Sequence, residues 1–181
     1  MFHMSNYVAL LRGINVGGNN RVEMPKLKKV FESLGYSNVS TYINTGNVIF
    51  ETDPTDAGTL VAIIEKALKK HFGFAVRAVV RDAKAVKKLA KSIPADWDNG
   101  TEQRTDVLFL WDEFDTKKSL ALIAVTPGVD TLRYVPGAIL WNMKREGYSK
   151  SGMRKFIGTA VYKNMTARNV NTVRKLAELV G

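Results

Sequence analysis

The stretch VSTYINTGNVIF, residues 39–50, decides the fold. Two short β-prone runs, 39–43 and 48–50, flank Asn44-Thr45-Gly46-Asn47, a connection rich in residues that tolerate positive φ, so the stretch predicts a β-hairpin. Before it, residues 7–13 form a short apolar run stopped by Gly13, the signature of a buried strand. A loop over 14–22 then leads to Pro25 at a helix start, with Leu27, Val30, Phe31 and Leu34 at i, i+3, i+4, i+7 and Gly35 as the stop. After the hairpin, Leu60, Ile63, Ile64, Ala67, Leu68 and Phe72 make one apolar helical stripe that Gly73 ends, and 75–80 reads as a fourth strand. The order β-α-β-β-α-β predicts a ferredoxin-like half, with two helices on one face of a four-stranded sheet.

The remainder repeats much of that order. Asp82 is placed to cap a helix bearing Val86, Leu89 and Ala90, and 93–104 then collects proline, glycine, asparagine and charge without periodicity, as a linker does. Residues 106–111 predict a strand, 116–124 a helix, and 131–134 with 138–143 a second hairpin around Val135-Pro136-Gly137. No fourth strand stands out, and the last 30 residues read as mostly helical. The expected architecture is therefore α+β: two ferredoxin-like halves with mainly antiparallel sheets, over 1–93 and 105–181, joined by a linker at 94–104 and closed by a C-terminal helix. The repetition is expected in element order, without visible sequence identity.

Composition narrows the function classes. At 45% apolar and 24% charged, with no run approaching the ~18 continuous apolar residues of a membrane span, the chain reads as soluble and without a membrane partner. Met1-Phe2-His3-Met4 lacks the basic segment, apolar run and cleavage site of an export signal, and Met4 fits an original start. The absence of cysteine excludes disulfides, thiolate metal sites and cysteine nucleophiles, and places the protein in the cytoplasm. The net charge of +10 is uneven: residues 144–181 hold nine Lys or Arg against Glu146 and Glu178, a net of +7 that leaves +3 for the first 143 residues. Such a tail attracts phosphate-rich partners, although lysine-rich exposed faces are also ordinary.

Three polar segments are candidates for binding. The first, Arg12-Gly13-Ile14-Asn15-Val16-Gly17-Gly18-Asn19-Asn20-Arg21, joins a strand to a helix start, where glycine-freed amides, the helix dipole and two arginines suit an anion. Its spacing matches neither G-x-G-x-x-G nor a P-loop, and a loop that needs positive φ explains its composition equally well. The second is the turn Asn44 to Asn47. The third, Thr166 to Lys175, is read as opening the last helix. On that wheel Val170, Val173, Leu176, Ala177 and Val180 dock, while Arg168, Asn171 and Lys175 face outward. Trp111-Asp112-Glu113-Phe114-Asp115 gathers three carboxylates that suit Mg²⁺ but suit turn and cap duty better. His71, near a helix end, has no identifiable partner for general-base work. No cofactor, metal site or reaction is indicated, and nothing in the sequence sets an oligomeric state.

Residues 9–18, 42–48 and 166–173 resemble domain-of-unknown-function family 1697, and the likeness runs nearly end to end. The resemblance implies a two-part α/β fold with ferredoxin-like elements in cytosolic bacterial proteins, and no established reaction. Where the family often carries tryptophan between the two C-terminal asparagines, this chain has Val170, which argues against aromatic stacking there.

Taken together, these readings predict one anion-accepting site. Arg12, Arg21, Arg168 and Lys175 would supply charge. Asn15, Asn19, Asn20, Asn44, Asn47, Asn169 and Asn171 would supply neutral polar groups, and Gly17 and Gly18 backbone amides. The expected ligand is a small phosphate-bearing or otherwise anionic molecule. The alternatives are nucleic-acid binding through the basic C-terminal region and a protein-interaction module. The β-α-β-β-α-β order also suits RNA recognition on exposed strands, but only Tyr7 and Phe50 offer aromatics there and the characteristic octapeptide is absent.

Overall fold

A computed structural model describes residues 3–181. Met1 and Phe2, part of the segment read for an export signal, lie outside the described residues. The chain forms two compact units, one made of the described residues up to Lys87 together with Leu176–Gly181, the other of Lys88–Lys175, which includes 94–104.

The first unit contains β1 (Ser5–Leu11), α1 (Met24–Ser33), β2 (Ser37–Tyr42), β3 (Asn47–Thr52), α2 (Ala57–Phe72) and β4 (Ala78–Asp82), followed by α3 (Ala83–Ser92). Its sheet runs β2-β3-β1-β4, antiparallel throughout. Alternate β1 residues Tyr7, Ala9 and Leu11 pack with Leu27 and Phe31 of α1 and Leu60, Ile64 and Leu68 of α2. The ends of α2 follow its sequence signals: Asp56 accepts from the amides of Gly58 and Thr59, and Gly73, at φ 81°, returns its N–H to Lys69 O. The β2–β3 turn forms as expected, but positive φ falls on Ile43 (49°) and Gly46 (85°) rather than on its asparagines. Asn47 is drawn into β3 because its side-chain amide donates to Tyr42 O (2.9 Å) and Thr45 Oγ1 (2.8 Å), which leaves the left-handed position to a β-branched residue.

The second unit contains β5 (Gln103–Leu110), β6 (Asp130–Val135), β7 (Ala138–Lys144) and β8 (Met165–Asn169), with short helices α4 (Met153–Phe156) and α5 (Ala160–Lys163), and leads into α6 (Val170–Leu179). The order β6-β7-β5-β8 reproduces that of the first sheet. Two expectations need correction. The helix at 116–124 is instead a pair of 3-10 turns, Asp112–Phe114 and Lys117–Leu122. There Ser119 Oγ donates to Phe114 O (2.7 Å) and the Asp115 carboxylate accepts from Tyr134 OH (2.9 Å) and Gly137 N (2.8 Å), bonds that hold the chain tighter than an α-helix. The missing fourth strand is β8. Thr166 to Asn169 extend along β5, with Arg168 opposite Val107, and do not open a helix.

Register shows the halves to be a structural repeat. Leu11 N donates to Gly46 O (2.9 Å) as Leu110 N donates to Gly137 O (3.0 Å), and Arg12 N to Arg77 O (2.9 Å) as Trp111 N to Asn164 O (3.0 Å). Val8 faces Arg81 as Val107 faces Arg168. Aligned this way, RDAKAVKKLA (81–90) and RNVNTVRKLA (168–177) are identical at five of ten positions, so sequence identity is visible after all. At both junctions a side chain caps the helix: Asp82 Oδ1 accepts from Ala85 N (2.7 Å) and Asn169 Oδ1 from Thr172 N (2.9 Å).

Candidate functional site

The loop after β1 closes on itself through asparagine. Asn15, at φ 55°, donates from Nδ2 to Val22 O (2.9 Å) and Asn44 O (2.8 Å), and accepts at Oδ1 from Val22 N (2.8 Å). Asn20, at φ 50°, donates to Gly13 O (3.3 Å), and the amides of Asn15 and Asn19 bond to Asn20 O and Val16 O. Buried Ile14 and Val22 pin the base of the loop. The turn after β2 packs directly against it, because a Cβ on Gly46 would come within 2.8 Å of both Ile14 Cδ1 and Leu11 Cβ. The first two candidate segments are therefore one assembly.

That assembly borders a concavity of about 530 Å³ whose lining includes Asn15, Gly18, Asn19, Arg21, Glu23 and Asn44. It lies at the start of α1, whose N-cap residue Glu23 makes no side-chain bond to the first turn and pairs with Lys26 (3.2 Å). Gly17 and Gly18, at φ 61° and 78°, form the exposed tip, beside exposed Asn19 and Arg21. Arg12 is half-buried at the loop base, and Asn47 is buried, its amide directed to the turn backbone.

The third segment belongs largely to the second unit and differs from its expected form. Arg168 is not on an exposed helix face but on β8, 7% exposed, with Nη1 donating to Thr166 Oγ1 (3.0 Å) and Ala167 O (2.8 Å). Burial pulls its pKa down to about 10. Asn169 caps α6, Asn171 reaches Asn99 O (3.4 Å), and Lys175 is exposed. The basic tail is also partly committed to structure, since Arg145 bonds to Gly100 O (2.6 Å) and Arg174 to Pro94 O (3.2 Å).

Other candidates resolve into structural duty. Tyr7 and Phe50 stack at 5.7 Å inside the helix-covered core, so they offer no surface to bases. Asp115 clamps the β6–β7 turn, and among the described residues no three His, Cys, Asp or Glu side chains are grouped to hold a metal ion. His71 is exposed in the last turn of α2. Asp130 carried no sequence signal, yet it accepts from Ser151 Oγ (2.5 Å), Gly152 N (2.8 Å), Thr126 N (2.8 Å) and Trp141 Nε1 (3.0 Å). Among the described residues, no helix is long and apolar enough to cross a membrane.

The fold and the loop together define a class: α+β proteins built of two ferredoxin-like units, the first carrying an asparagine- and glycine-built loop between β1 and α1. The chain belongs to the family described as Protein of unknown function (DUF1697), whose model matches residues 4–140, a stretch that includes two of the three segments carrying the resemblance. A solved structure described as that of conserved bacterial protein SP0830 from Streptococcus pneumoniae is similar, with a TM-score of 0.85 and 28% identity over 99% of this chain and 100% of that chain. Comparison with curated proteins gives no match.

Proposed function

We propose that the first unit binds a small anionic ligand, phosphate-bearing or carboxylate, in the concavity between the 12–22 loop and Asn44. One observation carries this reading. The second unit, built on the same register, leaves its matching strand β5 through the 3-10 turns at 112–122, which contain no glycine, and reaches β6 without an α-helix. The scaffold therefore does not itself require the glycine and asparagine loop. Exposed Gly17 and Gly18, both at positive φ, offer backbone amides at the tip, the start of α1 adds its dipole, and Arg21 supplies a full charge. Glu23 opposes an anion, but its pairing with Lys26 offsets that charge. The asparagine side chains bonded within the loop act as its frame, so recognition falls to the exposed tip and Arg21.

A thermal-shift panel of inorganic phosphate, pyrophosphate, nucleotides and sugar phosphates tests the reading. A ligand at about 100 times its Kd stabilises the folded state by about 2.7 kcal/mol, a rise of several degrees. The expected result is a rise with at least one phosphate-bearing compound, absent with its phosphate-free analogue and largely lost in Arg21→Ala. No rise with any anion, or equal rises in both proteins, would refute the proposal.

A further inference from the structure

The turn after β2 holds Ile43 at φ 49°, a left-handed conformation that a branched Cβ disfavours. Among the described residues the other non-glycine positions at positive φ, Asn15, Asn20 and Asn38, are all asparagines, which tolerate it. The shared scaffold does not require this strain. The second unit makes its matched turn with Pro136 and Gly137 alone, and positive φ falls there on the glycine (93°). Nor does core packing offset the cost, since Ile43 is 45% exposed. A backbone cost that neither scaffold nor core offsets is accounted for by a use of the side chain.

A second exposed aliphatic residue belongs to the same assembly. Asn15 donates to Asn44 O (2.8 Å), and the chain neighbours of that bonded pair include Val16, 68% exposed, and Ile43. Asn15 and Asn44 line the concavity of the first unit together with Arg21 and the apolar Met24. Phosphate alone would leave both exposed aliphatic side chains in water. We propose that the ligand of this site is an amphiphilic anion, a free small molecule that sets its phosphate or carboxylate at the loop tip and Arg21. Its short aliphatic body extends past the Asn15 to Asn44 bond to cover Val16 and Ile43. This inference rests on the anion site proposed above and specifies the other half of the ligand.

Calorimetric titration of the full chain with inorganic phosphate, ethyl phosphate and hexyl phosphate tests it, alongside denaturant unfolding. The parent protein should bind hexyl phosphate at least about tenfold more tightly than inorganic phosphate, with ethyl phosphate between them. Ile43→Asn relieves the left-handed strain, so it should unfold at a higher denaturant concentration while its ratio of hexyl to inorganic phosphate affinity falls toward one. Val16→Ser should lower the same ratio. Hexyl phosphate bound no more tightly than inorganic phosphate, or a ratio unchanged in both variants, would overturn this inference and leave the anion site standing. Capture by phosphatidic acid vesicles without tighter binding of free hexyl phosphate would overturn it as well, by placing the anion on a membrane. No binding of any of the three compounds would overturn it together with the anion site.

Discussion

Asp130 belongs to none of the motifs in the sequence. Its carboxylate gathers donors from Thr126, Trp141, Ser151 and Gly152, residues that share no spacing rule. The approach is close, since a Cβ on Gly152 would lie 1.8 Å from Ala124 O. Burial, the largest single influence, pushes the Asp130 carboxyl up, but the four donors together outweigh it and hold its pKa below the ordinary carboxylate value. The sign of the linkage follows. A depressed folded-state pKa gives stability that is present above the unfolded value of about 3.9 and is lost as pH falls through the folded value. Asp130→Asn should therefore cost about 2 kcal/mol at neutral pH, because an amide leaves some donors facing a donor. The gap to the parent protein, measured by chemical denaturation, should narrow on acidification below about pH 4. A gap that stays constant with pH would show that charge plays no part.

The two strand-to-helix junctions invite a test of equivalence. Asp82 and Asn169 occupy matched positions and each caps the helix that follows, so exchanging them should be nearly neutral, while Asp82→Ala or Asn169→Ala should each cost about 1 kcal/mol in denaturant unfolding. A large loss on Asn169→Asp would break the equivalence. These junctions also show why some elements were legible in the sequence and others were not. α2 announces itself through Asp56, an unbroken apolar stripe and Gly73, all local signals. β8 does not, because in Met-Thr-Ala-Arg-Asn the buried alternate positions, Thr166 and Arg168, are polar, and their burial depends on pairing with β5. The helical period of α6 thus runs backward on the page into a strand. The 3-10 turns at 112–122 are not legible in the sequence because Asp115 is satisfied by Tyr134 and Gly137, distant partners that no window of sequence contains. Ile43 shows the converse: the composition of Asn44-Thr45-Gly46-Asn47 suits positive φ within the turn, yet besides Gly46 it falls on Ile43, just before the turn, where Asn47 bonds back to Tyr42 O and Thr45 Oγ1.

The repeat makes the molecule its own control. Matching registers mean that differences between the units at equivalent places are not demanded by the shared scaffold, and the sharpest is the loop after β1 against the turns after β5. Of the candidate segments, the structure joins the two in the first unit. Residues 12–21 and Asn44 were marked by glycine and asparagine content, and the Asn15 to Asn44 bond joins them. Their division into frame and tip was not legible, because it depends on which amide each side chain reaches. Nor was the burial of Arg168, which follows from β8. The most direct test is a ¹⁵N-resolved NMR titration with the strongest stabiliser from the phosphate panel. Saturable shifts in the amides of Gly17, Gly18, Asn19 and Arg21, with residues 112–122 unmoved, are the predicted result. Shifts confined to other residues, or none at the tip, would contradict the assignment.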